Sequence, residues 1–249
     1  MGCAIGGVKM MVGLDRSFKP RWVYNVLKLA KPGMEFRKSE PTFMDIVEYE
    51  GLRSKENVLT IITRYYLQLD RKNGKYYFSD NYLHDLSLEY SYESLKPLLL
   101  FTLLLTCPIA RFLQGKINLL FKDQELVDSK ILLKHTQKEY GDRKIVKYAV
   151  GYYLTILSYF DVLEKNKSKY TWKNHKLSVS DQILKEMLLV YSQVLDRSEI
   201  DISCIHDDIA FSLFDINNLD DILMEYNAVD WVYQKRVATR KIIITKKFP

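Results

Sequence analysis

At 249 residues, 47% apolar and 27% charged, the chain is long enough to bury a core and too apolar for disorder. Its three cysteines and four histidines lie far apart, which excludes a disulfide framework and a zinc site of recognisable spacing. The net charge of +6 is uneven: residues 1–80 and 121–180 each carry +5, residues 181–232 carry 2 basic against 12 acidic side chains, and residues 233–249 carry 6 basic and none acidic.

In chain order, residues 1–18, with Gly2, Gly6, Gly7 and Gly13, read as a flexible leader without the continuous apolar stretch of a signal peptide. A helix over 22–31 ends at Pro32-Gly33, and a second, over 41–49, starts at Pro41. Ser54 is the expected N-cap of a third helix, with Val58, Ile61, Ile62, Tyr65 and Tyr66 on its inner face. Asn73-Gly74 is a hairpin turn signal, followed by a strand at 76–78. Residues 83–92 read as a linker or short helix. Two buried helices follow, 95–106 and 109–121, separated by Pro108. The run 98–107 is apolar throughout but only half the length of about twenty residues that a bilayer requires, so a soluble, cytoplasmic protein without a membrane partner is expected.

The second half predicts a helix over 129–140, ended by Gly141, and another over 143–160, capped by Asp142. Residues 161–164 lead into a second hairpin, which closes on a strand at 169–172. Ser180 caps a helix over 181–195. The acidic stretch 199–230 predicts two short helices, 208–214 and 219–226, the latter capped by Asn218. Ile242, Ile243 and Ile244 predict a terminal strand.

Two of these stretches run through the same programme. RSKENVLTIITRYYLQLDRKNGKYYF (53–78) and DRKIVKYAVGYYLTILSYFDVLEKNKSKYTW (142–172) each start polar and basic and carry Tyr-Tyr-Leu in an amphipathic segment. Each then closes on a Lys/Asn-rich turn and a Lys-Tyr-aromatic strand. Over 20–78 and 129–172 this order resembles winged helix-turn-helix proteins. More distantly, the Ser54-Lys55-Glu56-Asn57-Val58 run before Tyr65-Tyr66-Leu67, together with the late helix and hairpin, resembles the BrxA-type accessory proteins of bacterial phage-defence loci. The expected architecture is mainly α. It has a first winged-helix-like unit (19–82), linking buried helices (83–121), a second such unit (122–176) and an acidic helical region ending in a short basic strand (177–249).

The resemblance implies a non-enzymatic protein that binds double-stranded DNA within a defence, restriction or mobile-element system. In a helix-turn-helix, the first residues of the recognition helix address bases and phosphates, and the hairpin addresses the backbone. The candidate contacts are therefore Arg53, Ser54, Lys55 and Asn57 with Lys72, Asn73 and Lys75, and Arg143, Lys144 and Lys147 with Lys165, Lys167 and Lys169. Arg53, Asn57 and Arg143 have base-reading chemistry, whereas the lysines suit phosphates. The Tyr-Tyr pairs, beside Ile and Leu at core spacing, read as core rather than as stacking platforms for single strands.

Phosphate-binding, dinucleotide, nucleophile-elbow and zinc-protease motifs are absent, so no cofactor or catalytic residue is expected. Glu199, Asp201, His206, Asp207 and Asp208 are the one cluster with oxygen ligands for a divalent cation, the basis of a nuclease alternative. They read better as a solvated surface. A further alternative is a protein–protein adaptor that docks a basic partner, or another subunit of a complex, on the acidic segment 196–230.

Overall fold

The computed structural model describes residues 13–236 and 239–248. The chain is mainly helical with small antiparallel sheets. It begins with helices α1 (Pro20–Leu29), α2 (Phe36–Ile46) and α3 (Leu52–Tyr66), and the hairpin β1 (Leu69–Lys72) and β2 (Lys75–Phe78) follows. Next come α4 (Tyr82–Glu89) and α5 (Tyr92–Thr106). The sequence of three helices and a hairpin is then repeated by α6 (Pro108–Phe121), α7 (Ser129–Tyr140), α8 (Lys144–Tyr159), β3 (Leu163–Asn166) and β4 (Lys169–Trp172).

The two hairpins match in register. Leu69 faces Phe78 and Lys72 faces Lys75, as Leu163 faces Trp172 and Asn166 faces Lys169. In each unit the residues just before the second helix pair with the outer strand. Glu35 bridges Tyr77 and Leu126 bridges Thr171, with Gly33 N–H donating to Phe78 O (2.8 Å) and Val127 N–H to Tyr170 O (2.9 Å). The tight turns depend on left-handed backbone at Asn73 (φ 51°) and Gly74 (φ 76°) in one hairpin and at Lys167 (φ 56°) in the other.

Both units pack on α5. Beyond its polar, exposed first turn this helix is apolar on all sides from Leu98 to Leu104, and Leu95, Leu98 to Phe101, Leu103 and Leu104 are fully buried. Phe101 lies at its centre, with ring centroids 4.7 Å from Phe211, 6.0 Å from Phe214 and 6.5 Å from Tyr191. Tyr66 donates from its hydroxyl to Leu99 O, tying α3 to α5, and Tyr153 of α8 donates to Gln114 Oε1 on α6. Among the described residues no single helix is long and apolar enough to cross a membrane. Together α5 and α6 have the length, but the chain turns by 103° between them.

After α9 (Asp181–Val194) the chain forms β5 (Glu199–Asp201), two 3-10 turns, α10 (Leu219–Glu225), β6 (Trp231–Lys235) and β7 (Arg240–Ile244). β7 is the central strand of a three-stranded antiparallel sheet ordered β5-β7-β6.

Several boundaries differ from the sequence reading. Residues 13–18, expected as leader, pack inward. Leu14 and Phe18 are fully buried, and Gly13 sits at φ 71° with its carbonyl accepting from Tyr65 Oη, where a Cβ would collide with that hydroxyl. Residues 1–12 of the leader lie outside the described residues. Ser54 is inside the first turn of α3, whose N-cap is Gly51 without a side-chain cap, and Arg143 rather than Asp142 occupies the N-cap position of α8, again without a side-chain cap. Pro41 sits within α2, not at its start. Asn218 makes no cap bond to α10; its amide pairs with Asp181. The terminal strand belongs to a sheet, so the C-terminal region is not purely helical before it.

Candidate nucleic-acid interface

An open cleft of about 590 Å³ lies between the first turns of α3 and α8. Arg53 and Asn57 line it from α3, and Lys144, Ile145, Tyr148 and Tyr152 line it from α8. Asp15 and Arg16 complete it from the segment before α1. The amphipathic pattern of each helix produces this arrangement. On α3, Val58, Ile61, Ile62 and Tyr65 turn into the core, leaving Arg53 and Asn57 on the opposite side. On α8, Val146, Ala149, Val150 and Tyr153 are buried, which turns Lys144, Tyr148 and Tyr152, at spacings of four, toward the cleft.

The wall formed by α8 is a ladder of cations and rings. Tyr148 and Tyr152 stack with centroids 6.1 Å apart and an interplanar angle of 27°. Lys144 Nζ lies 5.7 Å from the centroid of Tyr148, and the Arg16 guanidinium lies 5.8 Å from that of Tyr152. Arg16 Nη1 also donates to Tyr152 Oη at 2.7 Å, a bond between residues 136 positions apart that joins the two units. Asp15 Oδ1 and Arg16 Nε are buried atoms without a hydrogen-bond partner at the cleft's edge.

The electrostatics of both helix starts run against helix stability. An α-helix N-terminus carries positive potential and favours acidic first-turn residues. Neither α3 nor α8 has an acidic residue in its first turn or a side-chain cap, and α8 starts Arg143-Lys144. Asn81, Ser91, Asp128 and Ser180 cap α4, α5, α7 and α9, whereas α1, α2 and α6 share with α3 and α8 the lack of a side-chain cap and of an acidic first turn. Two uncapped, basic helix ends facing one cleft form an anion-attracting surface.

Of the sequence candidates, Arg53, Asn57 and Lys144 are brought together. Ser54 and Lys55 are half-buried in the first turn of α3 beside the cleft rather than in its lining, and Lys147 is exposed one turn along α8. Arg143 is half-buried, with Nε donating to Tyr140 O. The remaining candidates lie on the hairpins. Lys75 is 3.2 Å from Glu35, and Lys72 is 4.0 Å from Asp70. Burial opposes ionisation of Glu35, but hydrogen bonding and charge from Lys75 and Lys38 outweigh it and hold the carboxyl below its usual range. Asn73 shapes its turn. Lys165 folds back over the Tyr170 ring and onto Thr155 Oγ1, while Lys167 and Lys169 are exposed.

Arg16, Tyr148 and Tyr152 were not among the sequence candidates. The second Tyr-Tyr pair splits: Tyr153 is core, and Tyr152 is not. The spacing 144, 148, 152 was a readable signal for the ladder, whereas nothing local marks Arg16.

The acidic cluster disperses. Glu199 pairs with Lys241 (2.9 Å), and Asp201 caps a 3-10 turn. Asp208 accepts both Arg111 Nη2 contacts (2.9 and 3.0 Å) and the Tyr191 hydroxyl. Burial first, then the bond to Asp208, pushes the Tyr191 hydroxyl up to about 12. Among the described residues no three potential ligands converge on a metal position. No family model matches the chain, and no curated protein or solved structure matches it either.

Proposed function

We propose that this chain is a non-enzymatic protein that binds double-stranded DNA through two winged-helix-like units, with α3 and α8 as recognition helices and the two hairpins as wings. It supplies affinity and positioning within a bacterial defence, restriction or mobile-element system. The observation that carries the reading is the cleft itself. The first turns of both helices, far apart in sequence, meet there with Arg16, Arg53 and Lys144 against one carboxylate, Asp15. The bridges Glu35–Tyr77 and Leu126–Thr171 support the winged-helix assignment, because that motif adds a strand before its second helix to the wing. Lys72 faces Lys75 across the first hairpin, each beside a carboxylate, Asp70 and Glu35.

In this reading Arg53, Asn57 and Arg143 address base edges, and Lys55, Lys144, Lys147, Lys167 and Lys169 address phosphates. Ser54 supports the start of α3, and Lys72, Asn73, Lys75 and Lys165 shape or charge the wings. The adaptor alternative is weakened because the acidic segment already has internal partners: Asp220 with Arg240, Glu199 with Lys241, Asp230 with Lys246 and Lys185. Fluorescence-anisotropy titration of a labelled duplex tests the proposal. Affinity that falls steeply with salt supports it. Absence of binding at low salt refutes it and returns attention to segment 196–230.

A further inference from the structure

The cleft between α3 and α8 has cations that suit a duplex backbone and, beside them, tyrosine rings that paired bases do not use. Duplex DNA accepts convex protein elements into its grooves, and its paired bases offer their edges, not their faces. Here the protein surface is concave, and its α8 wall carries the stacked rings of Tyr148 and Tyr152, of which Tyr148 is the more exposed. Tyr148 is 45% exposed, although it sits on a helix whose other aromatic side, at Tyr153, is fully buried. A volume of about 590 Å³ falls in the range of roughly 300–1,000 Å³ typical of pockets for compact organic ligands. Such a space is large enough for an unstacked nucleotide.

We infer that this cleft holds unpaired bases of a nucleic-acid strand, so that the protein favours DNA with a single-stranded extension next to the duplex. The inference rests on the reading that this face binds DNA, and it names the form of DNA. Tyr148 provides the stacking face, a contact tolerant of sequence because every base has a π-face. Lys144 at the rim and Arg53 on the facing wall meet the flanking phosphates, and Asn57 offers both a donor and an acceptor to a base edge. Arg16 holds Tyr152 by a 2.7 Å hydrogen bond while covering its ring, which fixes the inner end of the ladder and leaves Tyr148 as the accessible ring. The excess of positive over negative side chains in the lining matches a phosphate backbone; the rings match what only an unpaired strand exposes.

The test is an anisotropy titration of the full chain with three labelled probes: a blunt duplex, the same duplex with a short oligothymidine overhang, and the overhang strand alone. The expected result is an overhang duplex bound about ten-fold more tightly than the blunt one. In Tyr148→Ala this ratio falls to near one, and in Tyr148→Phe, which keeps the ring, it is retained. Salt-dependent binding to both duplexes with equal affinity, unchanged in ratio by Tyr148→Ala, overturns the inference and leaves the duplex reading standing. Binding to none of the probes overturns both. A thermal melt of each variant guards the comparison, and the exposure of Tyr148 predicts an unchanged midpoint.

Discussion

In the first helix–hairpin unit, Lys75 lies 3.2 Å and Lys38 3.6 Å from Glu35, and Lys72 is 4.0 Å from Asp70. In the second, Lys167 and Lys169 of the hairpin and Lys147 of α8 have no carboxylate partner among the described residues. The helices differ as well. α3 exposes Glu56 among its first cations, whereas the first two turns of α8 carry cations and tyrosines with no acidic residue. The same chain path thus appears once with its hairpin lysines beside carboxylates and once with two of them facing solvent, although Arg53, Lys55 and Arg71 of the first unit also lie beside no carboxylate among the described residues. The units also share a device: a carboxylate gripped by two lysines, Glu35 by Lys38 and Lys75, Asp161 by Lys96 and Lys173. In the first unit the grip uses a wing lysine. In the second it uses lysines outside the wing, which leaves Lys167 and Lys169 without a carboxylate partner among the described residues. The second unit is therefore expected to dominate DNA affinity.

The largest effect tests whether the units share one core. Phe101→Ala is expected to cost about 3–5 kcal/mol and to lower protection from hydrogen exchange in both units within a single unfolding transition. Two separate transitions would show independent folding. Next, charge reversal of Lys144, Lys147 and Lys167 together is expected to weaken duplex binding about 100-fold or more at low salt, with a melting temperature close to that of the unaltered chain. Reversal of Lys55, Lys72 and Lys75 is expected to cost about ten-fold. Equal losses would remove the asymmetry between the units.

A smaller change sharpens it from the other side. Glu35→Gln frees Lys75, and a gain of about two- to three-fold in affinity is expected, with a steeper salt dependence. Lys167→Asn replaces a side chain that fits left-handed backbone poorly with one that fits it better. Stability is expected to rise by about 0.5–1 kcal/mol while affinity falls, measured by denaturant unfolding and by titration.

The smallest effect is on acid stability. Burial raises the Asp161 carboxyl, but its bonds to Lys173 and Lys96 prevail and hold it below its usual range, as Lys75 and Lys38 hold Glu35. Carboxylates with lowered native values contribute stability above their unfolded values, near pH 4, and lose it as the pH falls through the native values. Stability is expected to be level from neutral pH to about pH 5 and to fall below about pH 4, with a shallower fall in Asp161→Asn.

Of the boundaries that side-chain caps specify, the sequence reading located those of α7 and α9 and missed those that Asn81 and Ser91 set for α4 and α5. Helix α7 starts at Ser129 because Asp128 accepts two first-turn N–H groups, and α9 starts at Asp181 because of Ser180. Asn73-Gly74 marks the first hairpin through its backbone preference. The β5-β7-β6 sheet escaped because it pairs Glu199–Asp201 with a strand some forty residues later, and short three- and five-residue strands carry little periodicity. Residues 13–18 looked like leader because their glycine and polar content hides two core side chains, Leu14 and Phe18. Three of the eight residues lining the cleft were legible: Arg53, Asn57 and Lys144 follow from helix starts. Arg16 was not, because its position is set by a tertiary bond to Tyr152, and the tyrosine ladder was obscured by reading both Tyr-Tyr pairs as core.

The most direct test is one titration of a labelled duplex with the unaltered chain and with the Lys144→Glu, Lys147→Glu, Lys167→Glu variant, at about 50 and 200 mM salt. The account predicts binding by the unaltered chain that weakens by orders of magnitude across that range, and no measurable binding by a variant that still melts normally. Equal binding by the two proteins, or none by either at the lower salt, would contradict it.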